Sequence, residues 1–384
     1  ALTLTLLSYP YVLLPVRAAL RRLDPGMEET ARGLGHGPWE AFRWVTWPHL
    51  RPAVAAGALL VALYTLSDFG AVSLLRYETF TWAIYIQYES VFDRGVSAGL
   101  SLVLVAFALG ILLAESRTRG RGQYFTSGSG GSHPAKVVSL GSWRWPAVGL
   151  CGTIVLLSLG APVAILTYWV VRGVVAGESL STHWGTAANS LYVSALAAGI
   201  CVLAAVPVAV LSVRYPSRFA ALVERISYLG FALPGIVVAL ALVFFGANYL
   251  PPLYQTLGLL VLAYAVLFLP TTLGTTRASL LQVNPRVEEA ARGLGLSPMW
   301  VFASVTFPLI RSGLFAGAAL VFLVTMKELP ATLILSPVGF KTLATSLWGA
   351  AEAAFFAEAA LPALLLVLLS SVPMAFLILR EVKR

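Results

Sequence analysis

Long uninterrupted apolar runs dominate the sequence and restrict it to one class of fold. Several of them reach the roughly 18–20 residues that an α-helix needs to cross a bilayer. Only 11% of the 384 residues are charged and 58% are hydrophobic, whereas soluble domains carry about 25% charged residues. The sequence lacks the short segments of alternating polar and apolar residues that are typical of a membrane β-barrel. The chain is therefore predicted to be an all-α polytopic membrane protein.

About nine membrane spans are predicted, with a flexible segment between the third and the fourth. That segment combines basic residues with the run Ser-Gly-Ser-Gly-Gly-Ser, a composition typical of solvated linkers. The chain is accordingly divided into a first half (1–116), a linker (117–144) and a second half (145–384). The predicted spans cover residues 1–16, 53–75, 96–114, 146–171, 186–213, 226–247, 255–276, 313–335 and 356–379.

One polar segment occurs twice among the apolar runs, once in each half. The first copy (27–48) begins MEETARGLG and ends VTWP, and the second copy (287–308) begins VEEAARGLG and ends VTFP. Glu28 corresponds to Glu288, and every later residue of the segment keeps the same offset of 260. No residue is gained or lost between the copies. The sequence therefore predicts a tandem duplication.

The distribution of Lys and Arg predicts the orientation of the spans. If both polar segments face the cytoplasm, 21 of the 26 Lys and Arg residues lie on that side, as the positive-inside rule favours. The linker and the C-terminus are then also cytoplasmic. The halves would be parallel repeats, related by an axis along the membrane normal. Three spans of the second half precede the one that matches 1–16, so the first six-helix unit is expected to be N-terminally truncated.

Each polar segment is predicted to form a helix-turn-helix elbow on the cytoplasmic surface. An Asp-Pro pair (24–25) and an Asn-Pro pair (284–285) supply an N-cap and a first-turn proline. The glutamates that follow complement the positive end of the helix dipole. The Gly-Leu-Gly triplets are expected to end each helix, and Pro48 and Pro308 to mark the start of the next spans.

The spacing within the polar segments resembles the signature of membrane subunits of ATP-binding-cassette importers, the EAA motif. Its order is Glu-Ala-Ala, three residues, Gly, nine residues and Ile-x-Leu-Pro. The second copy matches from Glu289 to Pro308, with Val for Ile and Phe for Leu. The first copy departs further, with Thr30 for Ala and Trp47 for Leu.

In that family the segment is a coupling helix that sits in a cleft of the ATPase subunit. The resemblance therefore implies two ATPase partners, an extracytoplasmic binding protein that delivers the cargo, and the inner membrane of a prokaryote as the location. It assigns ATPase coupling to Glu28, Glu29, Ala31, Gly33, Gly35 and Pro48 in the first copy, and to Glu288, Glu289, Ala290, Ala291, Gly293, Gly295 and Pro308 in the second.

ATP hydrolysis is expected on the partner and not on this chain. The sequence contains no Gly-x-x-x-x-Gly-Lys-Ser/Thr loop, which is the usual cradle for nucleotide phosphates. ATP and Mg²⁺ would then bind the ATPase, and no cofactor, metal or catalytic residue is assigned here. Two cysteines in apolar runs and four scattered histidines do not form a metal-ligand pattern.

Further motifs resemble those of the fused two-half permeases of ferric-iron importers. They are SDFGAV (67–72), FALPGIV (231–237), MKELPAT (326–332) and FKTLAT (340–345). Permeases for thiamine, polyamines and sulfate share several of these features, so those cargoes stay open. If iron is the cargo, its tight binding would belong to the external protein.

Asp68 and Glu328 are also related by the offset of 260, each late in the span after its polar segment. Ionisable residues inside a membrane are costly unless they face protein or water, so they become candidates for a cation pathway. The alternative is that both lie solvated at outer helix ends.

Proteins of other classes fit the sequence less well. A secondary transporter would need ionisable residues at mid-membrane and no coupling segment. A membrane enzyme would need a nucleophile–base or metal constellation. Nucleic-acid binding is disfavoured because the basic residues lie in short loops between spans.

Overall fold

Every regular element in the described part of the chain is a helix. The computed structural model describes residues 1–90, 94–118, 140–177 and 184–382. The first-half helices are α1 (Leu2–Arg22), α2 (Pro25–Gly33), α3 (Pro38–Ala41), α4 (Trp47–Ser67), α5 (Gly70–Leu74), α6 (Phe80–Ser90) and α7 (Arg94–Thr118). They are followed by α8 (Arg144–Val155), α9 (Ala161–Val175), α10 (Trp184–Arg214), α11 (Arg218–Leu229), α12 (Gly235–Tyr249), α13 (Leu257–Leu281), α14 (Pro285–Gly293), α15 (Pro298–Val301), α16 (Phe307–Met326), α17 (Pro330–Leu335), α18 (Leu343–Glu352) and α19 (Phe356–Val382).

Eight helices in these ranges are long and apolar enough to cross a membrane, which confirms the prediction of a polytopic all-α protein. They are Leu2–Arg21, Pro38–Ser67, Gly95–Ala114, Gly141–Val175, Trp184–Arg214, Leu257–Leu281, Pro298–Met326 and Phe356–Ala375. A shorter apolar helix, Gly235–Tyr249, corresponds to the remaining predicted span.

The span predicted at 226–247 is not one continuous helix. The chain forms α11, a short 3₁₀ turn and then α12, with Leu233 extended at φ −88° and ψ 127°. Pro234 causes the break, because a proline disfavours the α conformation of the residue before it. Two shorter helices therefore replace the predicted single span.

The spans predicted at 53–75 and 313–335 also end earlier than expected. The helix α4 ends at Ser67 and α16 ends at Met326. Short helices, α5 and α17, follow each of them after a break. Pro330 is the first residue of α17, where its missing N–H removes no intrahelical hydrogen bond.

The same two spans begin earlier than predicted, because Pro48 and Pro308 lie inside continuous helices. A π-helical turn (Phe42–Thr46) joins α3 to α4, and its equivalent (Phe302–Thr306) joins α15 to α16. In the first turn the Trp47 N–H bonds to the carbonyl of Phe42, five residues back. This wider turn relieves the clash of a proline ring with the carbonyl four residues earlier. Pro48 and Pro308 are the second residues of α4 and α16, which confirms that they mark the start of these spans, although a π-helical turn joins each span to the helix before it.

The duplication is visible in the helices themselves. The nine-residue α2 and α14 begin and end at positions 260 apart, and so do the two π-helical turns.

The chain forms two compact units. The first comprises Ala1–Ala71 and Leu102–Ala164, and the second comprises Val72–Ser101 and Ile165–Arg384. In the first unit α1 packs along α4. The domain division at 117–144 remains a prediction, and most of that linker lies outside the described residues.

The core of the second unit is built around α13, which packs against α10 and α16. Small residues allow these helices to approach closely: Ala205 and Ala209 on α10 are fully buried. On α16, a β-carbon at Gly313 would lie 2.7 Å from the Ser279 Cβ and 2.9 Å from the Thr275 carbonyl oxygen. Close packing of small residues is how membrane helices associate without a hydrophobic driving force.

We expect Gly313→Ala to destabilise the second unit, because the added methyl group has no space against α13. Overpacking of this kind costs about 1–3 kcal/mol, which should lower the thermal unfolding midpoint in detergent. Gly199→Ala is the matched control, since the helical Gly199 has no atom within 4 Å of an added β-carbon. Equal midpoints for the two variants would contradict the packing argument.

Candidate functional site

The two polar segments fold as the predicted elbows, with α2 and α3 in the first and α14 and α15 in the second. The Asp24 carboxylate accepts a hydrogen bond from the Gly26 N–H at 2.9 Å. At the equivalent position, the Asn284 side chain accepts one from the Arg286 N–H at 3.0 Å. Both predicted N-caps are confirmed, and each satisfies an amide that the helix leaves without a partner.

The turn at the end of each nine-residue helix depends on the second glycine of the Gly-Leu-Gly triplet. Gly35 and Gly295 have φ of +93° and +87°. In the first elbow the Gly35 N–H bonds to Arg32 O at 3.0 Å and the His36 N–H bonds to Ala31 O at 3.2 Å. This is the Schellman arrangement, in which glycine adopts the left-handed conformation at little cost.

The elbows present apolar side chains to the outside of the fold. Leu294 is 85% exposed and Met299 is 76% exposed; at the position equivalent to Leu294, Leu34 is 77% exposed. Trp39 and Trp300 are exposed as well. Large exposed apolar side chains on a short polar helix indicate a surface for a protein partner.

The coupling residues predicted from the sequence fall into two groups. Ala31, Ala291 and Glu288 are buried, and Glu28 and Pro48 are partly buried. The exposed members lie on the outer surface of the elbows: Glu29, Gly33, Gly35, Glu289, Ala290, Gly293, Gly295 and Pro308.

Glu288 is held by a buried ion pair with Arg214 at the end of α10. The Arg214 Nε and Nη2 donate to its two carboxylate oxygens, each at 3.0 Å, and the Thr306 hydroxyl donates to Oε1 at 3.0 Å. Arg214 Nη2 also donates to the carbonyl of Val283 at 3.0 Å and to that of Leu280 at 3.4 Å. The side chains of Arg214 and Glu288 are only 11% and 7% exposed.

Glu28, the equivalent glutamate of the first elbow, lies near Arg32 of its own helix. The distance between the two charged groups is 3.7 Å, and both side chains are roughly half exposed. The hydroxyl of Thr46, equivalent to Thr306, is buried and has no hydrogen-bond partner among the described residues.

The symmetric carboxylates Asp68 and Glu328 both lie at helix ends. Asp68 follows the last residue of α4, and Glu328 lies between α16 and α17. The Glu328 carboxylate accepts from the Ala331 N–H at 3.2 Å, at the start of α17. It also borders the start of α12, since a β-carbon on Gly235 would lie 2.7 Å from its Oε1. Their role in a cation pathway remains a hypothesis.

Comparison with known proteins identifies the family. Residues 1–176 and 184–381 match the binding-protein-dependent transport system inner membrane component family. The chain belongs to this family. It is therefore a multi-pass inner-membrane permease of an ATP-binding-cassette importer.

Individual relatives of the permease support this placement. The Fe(3+)-transport system permease protein FbpB 2 of Haemophilus influenzae is 39% identical over 378 residues, which are 97% of this chain and 74% of that protein. A putative ferric transport system permease protein of the same organism is 25% identical over 83% of this chain and 53% of its own length. The Escherichia coli sulfate transport system permease protein CysT is 29% identical over 32% of this chain and 46% of its length.

Several side chains of the permease site were not predicted from the sequence. The exposed apolar residues could have been found, because a leucine between two glycines in a polar segment has no helical face to bury it. The role of Arg214 could not have been predicted in this way, because basic residues commonly follow membrane spans. The residues missed are Leu34, Trp39, Arg214, Leu294, Met299, Trp300 and Thr306.

We expect Gly295→Ala to loosen the second elbow of the permease. Its β-carbon would meet no atom within 4 Å, so the penalty is the left-handed backbone conformation, about 1–2 kcal/mol. Hydrogen exchange of the α14 and α15 amides should therefore be faster than in the wild type. Gly293→Ala is the control, because Gly293 has open space and no positive φ and alanine favours helix. Equal protection in both variants would refute the role of the left-handed turn.

Proposed function

We propose that this permease forms the membrane passage of an ATP-driven ferric-iron importer. The cargo assignment rests on the 39% identity to the Fe(3+)-transport permease, which extends over 97% of this chain. An external binding protein would deliver the iron, and the permease would provide a passage without a tight iron site of its own. The sulfate and molybdenum permeases that resemble it cover about a third of the chain and support the same importer class.

The elbows carry the proposed coupling. Each would dock into one ATPase subunit, and ATP and Mg²⁺ would bind those subunits. The observation that supports this most is the repeated exposure of apolar side chains, Leu34 and Leu294 above all, at the ends of short polar helices. The exposed Trp39 and Trp300 beside them belong to the residue types that contribute most to the binding energy of protein interfaces. The distribution of Lys and Arg supports a cytoplasmic position for both elbows and the C-terminus.

Nucleotide-dependent movement of the ATPase subunits would then displace both elbows and shift the permease between two conformations. Such a switch needs partners that bind the two conformations with different affinity. The ATPases would act at one face and the loaded binding protein at the other.

We expect Leu294→Ala to weaken ATPase attachment while leaving the spans folded. Burying a leucine side chain is worth about 1.5–3 kcal/mol, so the co-purified ATPase should decrease by about tenfold or more in a dilution series. Leu203→Ala is the matched control, since Leu203 on α10 is also highly exposed, at 75%, but lies in a span. Unchanged ATPase binding by the Leu294 variant would argue against the elbow as the docking surface.

The identity of the cargo is tested with the permease, its ATPase and its binding protein reconstituted in liposomes. The proposal expects ATP hydrolysis to rise with the ferric-loaded binding protein and not with the empty one. Stimulation by a sulfate-, thiamine- or polyamine-loaded protein instead would retain the importer and reject iron.

The pathway hypothesis for Asp68 and Glu328 is tested by removing the charges alone. Glu328→Gln keeps an oxygen that can accept from the Ala331 N–H, so the start of α17 stays capped. The double variant Asp68→Asn, Glu328→Gln should then lower ferric uptake several-fold with an unchanged unfolding midpoint. Full uptake by that variant would reject a pathway role.

A further inference from the structure

Arg214 links the end of α10 to the end of α13 and to α14, which lie 66 to 74 residues further along the chain. It ends α10, and its guanidinium binds Glu288 on α14 and the carbonyls of Leu280 and Val283 at the end of α13. Glu288 extends the network to Thr306 in the π-helical turn that leads into α16. The elbow is thereby tied to the ends of two spans and the beginning of a third.

The geometry of this network is specific to an arginine. Two parallel N–H donors face two carboxylate oxygens at 3.0 Å, and the planar guanidinium fixes this fork. The guanidinium also donates to the carbonyls of Leu280, in the last turn of α13, and Val283, just after it, where helix ends leave C=O groups without full intrahelical bonding. A lysine could retain the charge but not all of these hydrogen bonds.

The network continues into a packed apolar core. Ala205 and Ala209 of α10 contact a buried cluster that includes Leu273 and Leu280 of α13 and Ile310 of α16. Interiors packed in this way transmit strain because they have little free volume. A displacement of α14 would therefore be passed to α10, α13 and α16 together.

We propose that Arg214 is a positioning residue that transmits movement of the second elbow to the transport helices. This inference rests on the proposed function, because it requires an ATPase to move α14. Arg214 is only 11% exposed and would act through Glu288, without contacting the ATPase. The exposed Glu289 and Leu294 would form the docking contact, and the buried pair would carry the displacement inward.

The test separates transmission from folding and from docking. Removing one partner leaves a buried charge and destabilises a protein, whereas replacing both with apolar residues of similar volume is often tolerated. The main variant is therefore the double substitution Arg214→Met, Glu288→Leu. Arg218→Met is the matched control, because Arg218 begins the next helix and is exposed.

Both variants are reconstituted in liposomes with the ATPase and the ferric-loaded binding protein. Co-purified ATPase, ATP hydrolysis and iron transported per ATP are measured. We expect the double variant to retain its ATPase but to transport about tenfold less iron per ATP, within the range of allosteric couplings. The control should match the wild type.

A milder pair of variants does not depend on replacing charges. Thr306→Val removes only the hydroxyl that donates to Glu288, with little change in shape, and should also lower iron transported per ATP. Thr306→Ser restores a hydroxyl and should recover most of the wild-type ratio. A role confined to stability would change the unfolding midpoint and leave this ratio constant.

The remaining outcomes distinguish the two proposals. An unchanged transport ratio in the double variant, with ATPase bound, overturns transmission through Arg214. Loss of ATPase from the double variant alone also overturns it, because the pair would then serve docking. Failure of the wild-type permease to bind any ATPase would reject the proposed function itself.

Discussion

Inside a bilayer the backbone cannot form hydrogen bonds with water, so each interruption of a helix must be satisfied by protein groups. Two interruptions in the second unit lie together: the break before α12 and the break before α17, which pack against each other. The carboxylate of Glu328 accepts a hydrogen bond from the Ala331 amide at the start of α17 and lies beside Gly235 at the start of α12. This side chain therefore satisfies a backbone group at one break and packs against the other.

At the exposed elbows the helix ends are also closed by groups of the protein itself. N-cap side chains satisfy the first amides, and the left-handed glycines close the last turns of α2 and α14. The Arg214 guanidinium donates hydrogen bonds to carbonyls at the end of α13 and also to the Glu288 carboxylate. The Arg214 guanidinium both satisfies the end of α13 and holds the elbow through Glu288. The stability of α13 and the position of α14 are therefore coupled.

Local signals predicted much of this architecture. Apolar run length located eight of the spans, and the Asp-Pro and Asn-Pro pairs located the starts of α2 and α14. The break within 226–247 also has a local signal, because Leu233 precedes a proline. The course of the helices through Pro48 and Pro308 was not, since it depends on a π-helical turn that the sequence does not announce. The Arg214–Glu288 pair joins residues 74 apart, and no local pattern specifies such a contact.

Continuity through the π-helical turns has a mechanical consequence. Pro38–Ser67 is one helix of 30 residues, and at 1.5 Å per residue it is about 45 Å long. The exposed Trp39 near its start and Asp68 just beyond its end therefore lie at opposite ends of a single rod. A tilt of about 10° at one end of a rod of that length moves the other end by about 8 Å. A small tilt of an elbow would therefore produce a large displacement at the far end of the span that continues from it. A flexible hinge at Pro48 or Pro308 would prevent this transmission.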